Sequence, residues 1–394
     1  FGKKTKIKDG VLYIKKKELL EAAKANDERL ASVQAHIARP GDSVRIIPIK
    51  DVVEPRLKTP GNLTLALKGI SVITCGQIVG FQEGLLDMSG PGAEYSSFSK
   101  LTNIVLVVKA TKGITQHQHE EAIRLLGQRA ADYLGQAAKE IIPEDIEEFA
   151  ELSPHEEDRA GLPRVVYVYM LLMHDTYIYG KDAKTERFLP VIIQPAEILN
   201  GAIVSGNCVS ACDKNTTYHH QNNPVIRELY KKHGKELNFI GVILTNESTQ
   251  LSGKQWSAGQ VIKFAEHLRA QGAIISKEGF GNPDADLMMI CSGLEEKGIK
   301  TVCLTDEFAG SDGASQSLAD AHEKANAVIS TGNANQIITL PPMKKIIGDD
   351  SVIQNLAGGC PKSLKEDGGL EIELQAILGA TNQLGYEKLS AEET

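Results

Sequence analysis

No apolar run in this sequence reaches the ~18–20 residues that a membrane span requires. Positive charge is not in excess: 43 Lys and Arg face 51 Asp and Glu, a formal net charge of −8. That balance argues against nonspecific nucleic-acid binding, which needs a basic face to displace counterions. Cysteine is scarce, six in 394 residues, and only Cys208 and Cys212 are close together, as C-x3-C. No disulfide scaffold is read from this, and a reducing, cytoplasmic setting is expected. No secretory signal is visible in the sequence given; because it begins at Phe1, a short preceding stretch is expected. Internal repeats, coiled-coil heptads and low-complexity segments are also lacking.

Familiar site signatures are missing too. No G-x-G-x-x-G joins a strand to a helix; Glu278-Gly279-Phe280-Gly281 lacks the third glycine, and no Walker A lysine motif occurs. These glycines read as turn residues. His117-x-His119 and His219-His220 have no C-x-x-C or H-E-x-x-H beside them, so they read as surface or capping residues rather than metal ligands. No G-x-S-x-G elbow supports a serine hydrolase.

What remains is an ordinary globular composition, 42% hydrophobic and 24% charged, with length for two or three domains. Strands are expected at 11–14, 43–49, 70–79, 103–108 and 165–172, and helices at 17–26 and 117–134, the latter with Ala122, Leu125, Leu126, Ala130 and Leu134 at helical spacing. The acidic stretch 143–160 reads as a solvated surface. From 238 the pattern becomes regular. Strands are expected at 239–244, 273–276, 301–305, 327–330 and 337–340, and helices at 258–271, 283–297 and 317–326. Apolar strands alternating with helices imply a parallel sheet covered on both faces. The fold class is therefore α/β: an N-terminal mixed α+β domain (1–200), a segment at 201–237, and a doubly wound, mainly parallel-sheet domain (238–394), whose regular unit spans 238–345. In such sheets ligands sit beyond the carboxyl ends of the strands. Here those ends carry Thr245-Asn246-Glu247, Ser276 to Asn282, Thr305 to Gly310 and Thr331 to Asn335.

The unusual stretch is 200–214. A short apolar strand leads into Gly206-Asn207-Cys208, and Gly206 gives the backbone conformations closed to other residues. On spacing alone this is also how a plain loop with one buried cysteine looks. The chemistry open to it is specific. The Cys208 thiol can attack the Asn207 carbonyl and shift the acyl group from nitrogen to sulfur. Elimination would leave dehydroalanine, and tautomerisation with hydrolysis a pyruvoyl group at the new N-terminus. Such a ketone is an electron sink and can form a Schiff base with an amine. Ser205, Ser210, Asp213, Lys214, Thr216 and Thr217 are close enough along the chain to assist.

The run GAIVSGNCVSACDKNTTY at 201–218, with QNNPVI at 221–226 and LYKKHG at 229–234, closely resembles the α/β-precursor subunit of component B of glycine, sarcosine and betaine reductases. ARPGDSVRI at 38–46, GFQEG at 80–84, DMSGPGAEY at 87–95, HDTY at 174–177, EGFGNPD at 278–284 and DGASQSLAD at 312–320 agree, so the resemblance covers essentially the whole chain. After Pro60-Gly61 and around 171–173 the sequence is shorter than the family pattern.

The resemblance implies cleavage between Asn207 and Cys208, with Cys208 becoming the pyruvoyl cofactor. It implies a partner subunit bearing selenocysteine, whose selenolate attacks Cα of an amino substrate held as an imine. The Cα–N bond of glycine, sarcosine or betaine is then reductively cleaved; betaine, having no N–H, could not form the imine. The carboxymethyl group passes to selenoprotein A and, through component C, to acetyl phosphate, with thioredoxin supplying electrons in the cytoplasm of an amino-acid-fermenting anaerobe. A substrate carboxylate needs a cation, for which Arg39, Arg45 and Lys214 are candidates beside the bland reading of surface ion pairs. Two rivals stay open: a D-proline-reductase-like pyruvoyl subunit, and a non-catalytic scaffold for the selenocysteine subunit in which Cys208 is structural.

Overall fold

The computed structural model describes residues 1–59, 63–77, 84–152, 161–172, 176–186, 189–206 and 214–385, and two six-stranded sheets organise them. The first is mixed. Its strands run in the order Lys345–Gly348, Val44–Val53, Ile70–Gly76, Thr102–Ala110 and Leu30–Ala38, with Gly84–Asp87 also paired to Val44–Val53. Side chains alternate between its faces. Val72, Ile104 and Leu106 pack under the helix Gln116–Gly135 against Leu126, Ala130 and Leu134, while Ile73 and Val105 face Ile46, Phe98 and Leu378 on the other side. Thr115 starts that helix with a capping box to Gln118, satisfying donors the first turn cannot bond internally. The strand expected at 43–49 continues to Val53 and so carries Asp51 into the sheet interior.

The second sheet is the doubly wound one. Its order is Val191–Ile193, Asn238–Asn246, Arg164–Leu171, Gly272–Ser276, Lys300–Glu307 and Val328–Asn333, all parallel except the edge strand Val191–Ile193. The helices Leu251–His267 and Asn282–Glu296 bury Val261, Leu287 and Leu294 against Val166, Val168 and Ile275. On the opposite face Ile226 and Leu229 of the helix Pro224–Lys232 cover Tyr167, Tyr169 and Phe239.

Three sequence expectations are corrected. Arg164–Leu171 is a central strand of this sheet, as its unbroken apolar run suits, so the unit does not begin at 238. Strand pairing therefore crosses the expected boundaries at 200 and 238. Ile337–Leu340 leaves the sheet and pairs antiparallel with Leu370–Glu373. Residues 317–326 form no helix. The Asp320 carboxylate accepts the Ala321 N–H, the His322 ring accepts the Lys324 N–H, and Asp284 accepts the Ala319 N–H, giving this polar segment local partners in place of a helical ladder.

Candidate active site

Asn207, Cys208, Ser210 and Asp213 lie outside the described residues. Their two flanks are described, and both are buried where the carboxyl ends of the parallel strands meet the first sheet.

Upstream, Ile203–Val204 pairs with Tyr177–Ile178 and delivers Ser205 and Gly206 to the interior. The Ser205 N–H donates to Thr217 Oγ1 at 3.0 Å. Thr217 in turn donates its hydroxyl (2.7 Å) and its N–H (2.9 Å) to the Asp51 carboxylate. Thr216 caps the short helix Thr217–Gln221, accepting the His219 N–H while His219 Nδ1 accepts the Thr216 N–H. Burial lifts Asp51 to a pKa of about 7, against the Thr217 donors and the Lys214 charge, which favour its anion.

Downstream, Lys214 is buried and its Nζ donates to Thr176 Oγ1 at 3.1 Å. Asn215 is fully buried and bonded in three directions. Its N–H goes to Glu278 Oε1 (2.9 Å) and its Nδ2 to the Tyr169 hydroxyl (3.1 Å), and its Oδ1 accepts Asn382 Nδ2 (2.7 Å). Glu278 Oε2 accepts the Leu172 N–H at 2.8 Å, so one carboxylate clamps the end of the central strand to the exit of 207–213. Gly279, at φ +75°, makes the turn after Glu278; a Cβ there would crowd Pro283 and Leu172 as well as strain the backbone. The Tyr169 hydroxyl also meets His220 Nδ1 at 2.8 Å. Burial, then the Lys214 charge, push the His220 pKa well down, so the ring is neutral. Below this layer, fully buried Lys277 lies between Asp284 (2.9 Å) and Asp306 (3.7 Å), and Gln383 donates to Asp306 at 3.0 Å.

The structure thus gathers Ser205, Gly206, Lys214, Thr216 and Thr217, but not the arginines. Arg45 is fully buried and holds Asp87 through two bonds of 2.7 and 2.8 Å, with Pro341 O accepting a third at 3.1 Å. Its Nη1 is buried and has no hydrogen-bond partner among the described residues. Arg45 lies six residues from Asp51 along one strand, about 20 Å. Arg39 is exposed beyond Leu30–Ala38, three strands away from the strand of Asp51.

Sequence reasoning missed Asp51, Tyr169, Asn215, His220 and Asn382. Glu247, Glu278 and Asp306 stood in the loops it marked as the binding edge. Among the described residues no three His, Cys, Asp or Glu side chains group to hold a metal ion, and no helix is long and apolar enough to cross a membrane.

Comparison with known proteins matches this architecture to a family over its full length. The model of glycine/sarcosine/betaine reductase component B subunits matches residues 1–392. The glycine reductase complex component B subunits alpha and beta of Acetoanaerobium sticklandii are 50% identical over 418 residues, covering 100% of this chain and 96% of theirs. The sarcosine reductase complex component B subunit alpha of Peptoclostridium acidaminophilum is 46% identical over 414 residues (99% and 96%), and the betaine reductase complex component B subunit alpha of that organism 38% over 431 residues (100% and 97%). No solved structure matches the chain. With likeness running end to end through both sheets and the segment between them, the chain belongs to the glycine/sarcosine/betaine reductase component B family.

Proposed function

We propose that this chain is the self-cleaving subunit of a reductase complex that breaks the Cα–N bond of glycine or an N-methylated glycine. The observation that carries the reading is the pair of buried anchors around 207–213. Ser205 is held through Thr217 to Asp51, and Asn215 is held to Glu278, Tyr169 and Asn382. These fix both sides of the Asn207–Cys208 bond independently of that bond, as a cut that leaves both ends in the site would require.

The residues beside the loop suit a carbonyl formed from Cys208. Lys214 is a buried cation, and His220 Nε2 is a buried ring nitrogen with no partner among the described residues. In the tautomer whose Nδ1 accepts from Tyr169, neutral His220 carries its proton on Nε2 and can donate it to an acceptor oxygen. A pyruvoyl group there would supply an electron sink for C–N cleavage. The chain's own residues contribute burial, a cation for substrate carboxylate or carbonyl oxygen, and acids whose environments differ. In this reading a second subunit brings the selenocysteine nucleophile, and selenoprotein A, component C and thioredoxin act downstream. The free thiols of Cys75, Cys291, Cys303 and Cys360 suit a reducing cytoplasm.

Intact-mass measurement on the purified complex tests this. Two fragments are expected, one ending at Asn207 and one beginning with a ketone-bearing residue 208. Cys208→Ala should give one uncut chain and no amine release. Full turnover by Cys208→Ala would refute the reading.

A further inference from the structure

A buried turn near the end of the chain sets the direction of a line of hydrogen bonds that ends at His220. Asn382 is 1% exposed, and the residues on either side of it are fastened. Thr331 donates its hydroxyl to Thr381 O at 2.8 Å, and Gln383 donates to Asp306 at 3.0 Å. The Gly385 N–H closes the turn on Asn382 O at 2.8 Å. Within it, Asn382 Oδ1 accepts the Leu384 N–H at 3.1 Å. A backbone N–H can only donate, so this contact fixes which end of the Asn382 amide is oxygen and which is nitrogen.

Each later link takes its sense from the one before. Asn382 Nδ2 faces Asn215 and donates to its Oδ1 at 2.7 Å. The Asn215 amide is thereby turned with Nδ2 toward Tyr169, to whose hydroxyl oxygen it donates at 3.1 Å. A phenol carries one proton. With the oxygen accepting from Asn215, that proton makes the 2.8 Å contact to His220 Nδ1. Burial, then the Lys214 charge, keep the ring neutral, and a neutral ring that accepts at Nδ1 holds its proton on Nε2. An acceptor at position 382 would reverse every link. It would turn the Asn215 amide over, draw the Tyr169 proton to Asn215 Oδ1 and leave His220 to donate from Nδ1. Asn382, Asn215 and His220 lie beyond Cys208 in the sequence and Tyr169 before it, so the line passes from one cleavage fragment to the other and back.

We propose that Asn382 is a positioning residue for His220: through Asn215 and the Tyr169 hydroxyl it holds the ring in the tautomer that presents an N–H, and not a lone pair, at Nε2. The inference rests on the reading above only for the use of that N–H, as a hydrogen-bond donor to an oxygen of the substrate or of residue 208 after cleavage. The ring keeps its proton throughout, so no step of the reaction consumes it.

The test uses the complex made with isotope-labelled histidine, whose ring nitrogens report the tautomer in solid-state nuclear magnetic resonance. The His220 signals are those missing from His220→Gln. Wild type should show one neutral ring, protonated on Nε2. Asn382→Leu, which removes the donor, should show both tautomers. In Asn382→Asp the proton should sit on Nε2 while the new acid is protonated and move to Nδ1 as it ionises, a pH dependence that wild type lacks. Amine release should fall with that shift, by up to about a hundredfold, while intact mass shows the Asn207–Cys208 cut complete. A wild-type ring protonated on Nδ1, or a ring that stays protonated on Nε2 in both variants at every pH, would overturn the assignment. Variants that carry the Nδ1–H ring and release amine at the wild-type rate would overturn the role in the reaction. An uncut chain in active wild-type complex would overturn the cleavage reading instead, and the wild-type tautomer is measured all the same.

Discussion

Replacing Asp51 by asparagine should make this protein more stable above neutral pH, and the structure sets the size of the gain. Asp51 is 3% exposed and accepts two hydrogen bonds from Thr217. Burial, the largest influence on it, raises its pKa from 3.8 to about 7. Each pH unit of that interval corresponds to about 1.4 kcal/mol, so the full interval amounts to about 4 kcal/mol. A carboxyl whose pKa is higher folded than unfolded contributes stability that is fully present below the unfolded value of 3.8. That contribution is lost as pH rises through about 7, because the folded state must then bury a charge that the unfolded state exposes. The asparagine side chain cannot ionise. Its amide leaves the Thr217 hydroxyl to reorient, a constant penalty of about 1–2 kcal/mol. Urea unfolding of Asp51→Asn and wild type between about pH 5 and pH 8 measures the difference, from which the buried histidines common to both cancel. The variant should gain on the wild type at up to about 1.4 kcal/mol per pH unit and level off above about pH 7. A difference that stays flat across this range would refute the assignment of a buried, neutral-range titration to Asp51.

Lys277→Met should cost about 3–5 kcal/mol in urea unfolding, since it strands Asp284 and Asp306 in the interior beneath the site. Adding Asp284→Asn should recover part of that loss, and a single-variant loss under about 1 kcal/mol would contradict the ion cluster. Arg45→Met should likewise destabilise by about 3–5 kcal/mol through its stranded partner Asp87. In the same variant KM for the amino substrate should stay within about twofold, where a substrate-carboxylate anchor would raise it severalfold.

The elements with long periodic stretches were the readable ones. The helices Gln116–Gly135 and Asn282–Glu296 and the five parallel strands of the second sheet follow from apolar spacing alone, while the helix expected at 258–271 runs instead from Leu251 to His267 and the edge strand Val191–Ile193 was not foreseen. Leu30–Ala38 did not, because an edge strand with exposed Ala31, Ser32 and Gln34 has little apolar alternation to display. Residues 317–326 have helix-forming residues but only Leu318 and Ala325 among them pack against the core of the parallel sheet, and isolated helices that short are marginal without a buried face. The site was readable where topology places it. Glu247, Glu278 and Asp306 end parallel strands, and loops there are where ligands bind. Asp51 was not, since one acid inside Val44–Val53 looks no different from a surface charge until the helix Thr217–Gln221 covers it. Asn215 and Glu278 are 63 residues apart, and no local pattern announces that contact.

The strand order bears on whether a chain of this design survives its own cutting. A break after Asn207 divides the molecule into a first fragment holding Val44–Val53 and Arg164–Leu171 and a second holding Asn238–Asn246, Gly272–Ser276 and Lys345–Gly348. In the parallel sheet, Arg164–Leu171 of the first is hydrogen-bonded on both sides by strands of the second, in register from Arg164↔Asn238 to Leu171↔Asn246 and from Val165↔Gly272 to Tyr169↔Ser276. In the mixed sheet, Lys345–Gly348 of the second extends Val44–Val53 of the first. Separating the fragments means pulling a buried central strand out of a sheet, exposing Val166, Tyr167, Val168, Tyr169 and Met170 to water. At about 1.5–3 kcal/mol for each large apolar side chain, that exposure far exceeds what an anchored loop gains in entropy when one peptide bond opens, since loop entropy changes only slowly with length. The interleaving that defeats a simple domain boundary at 200 or 238 is what would let the backbone be spent on chemistry while the site keeps its shape.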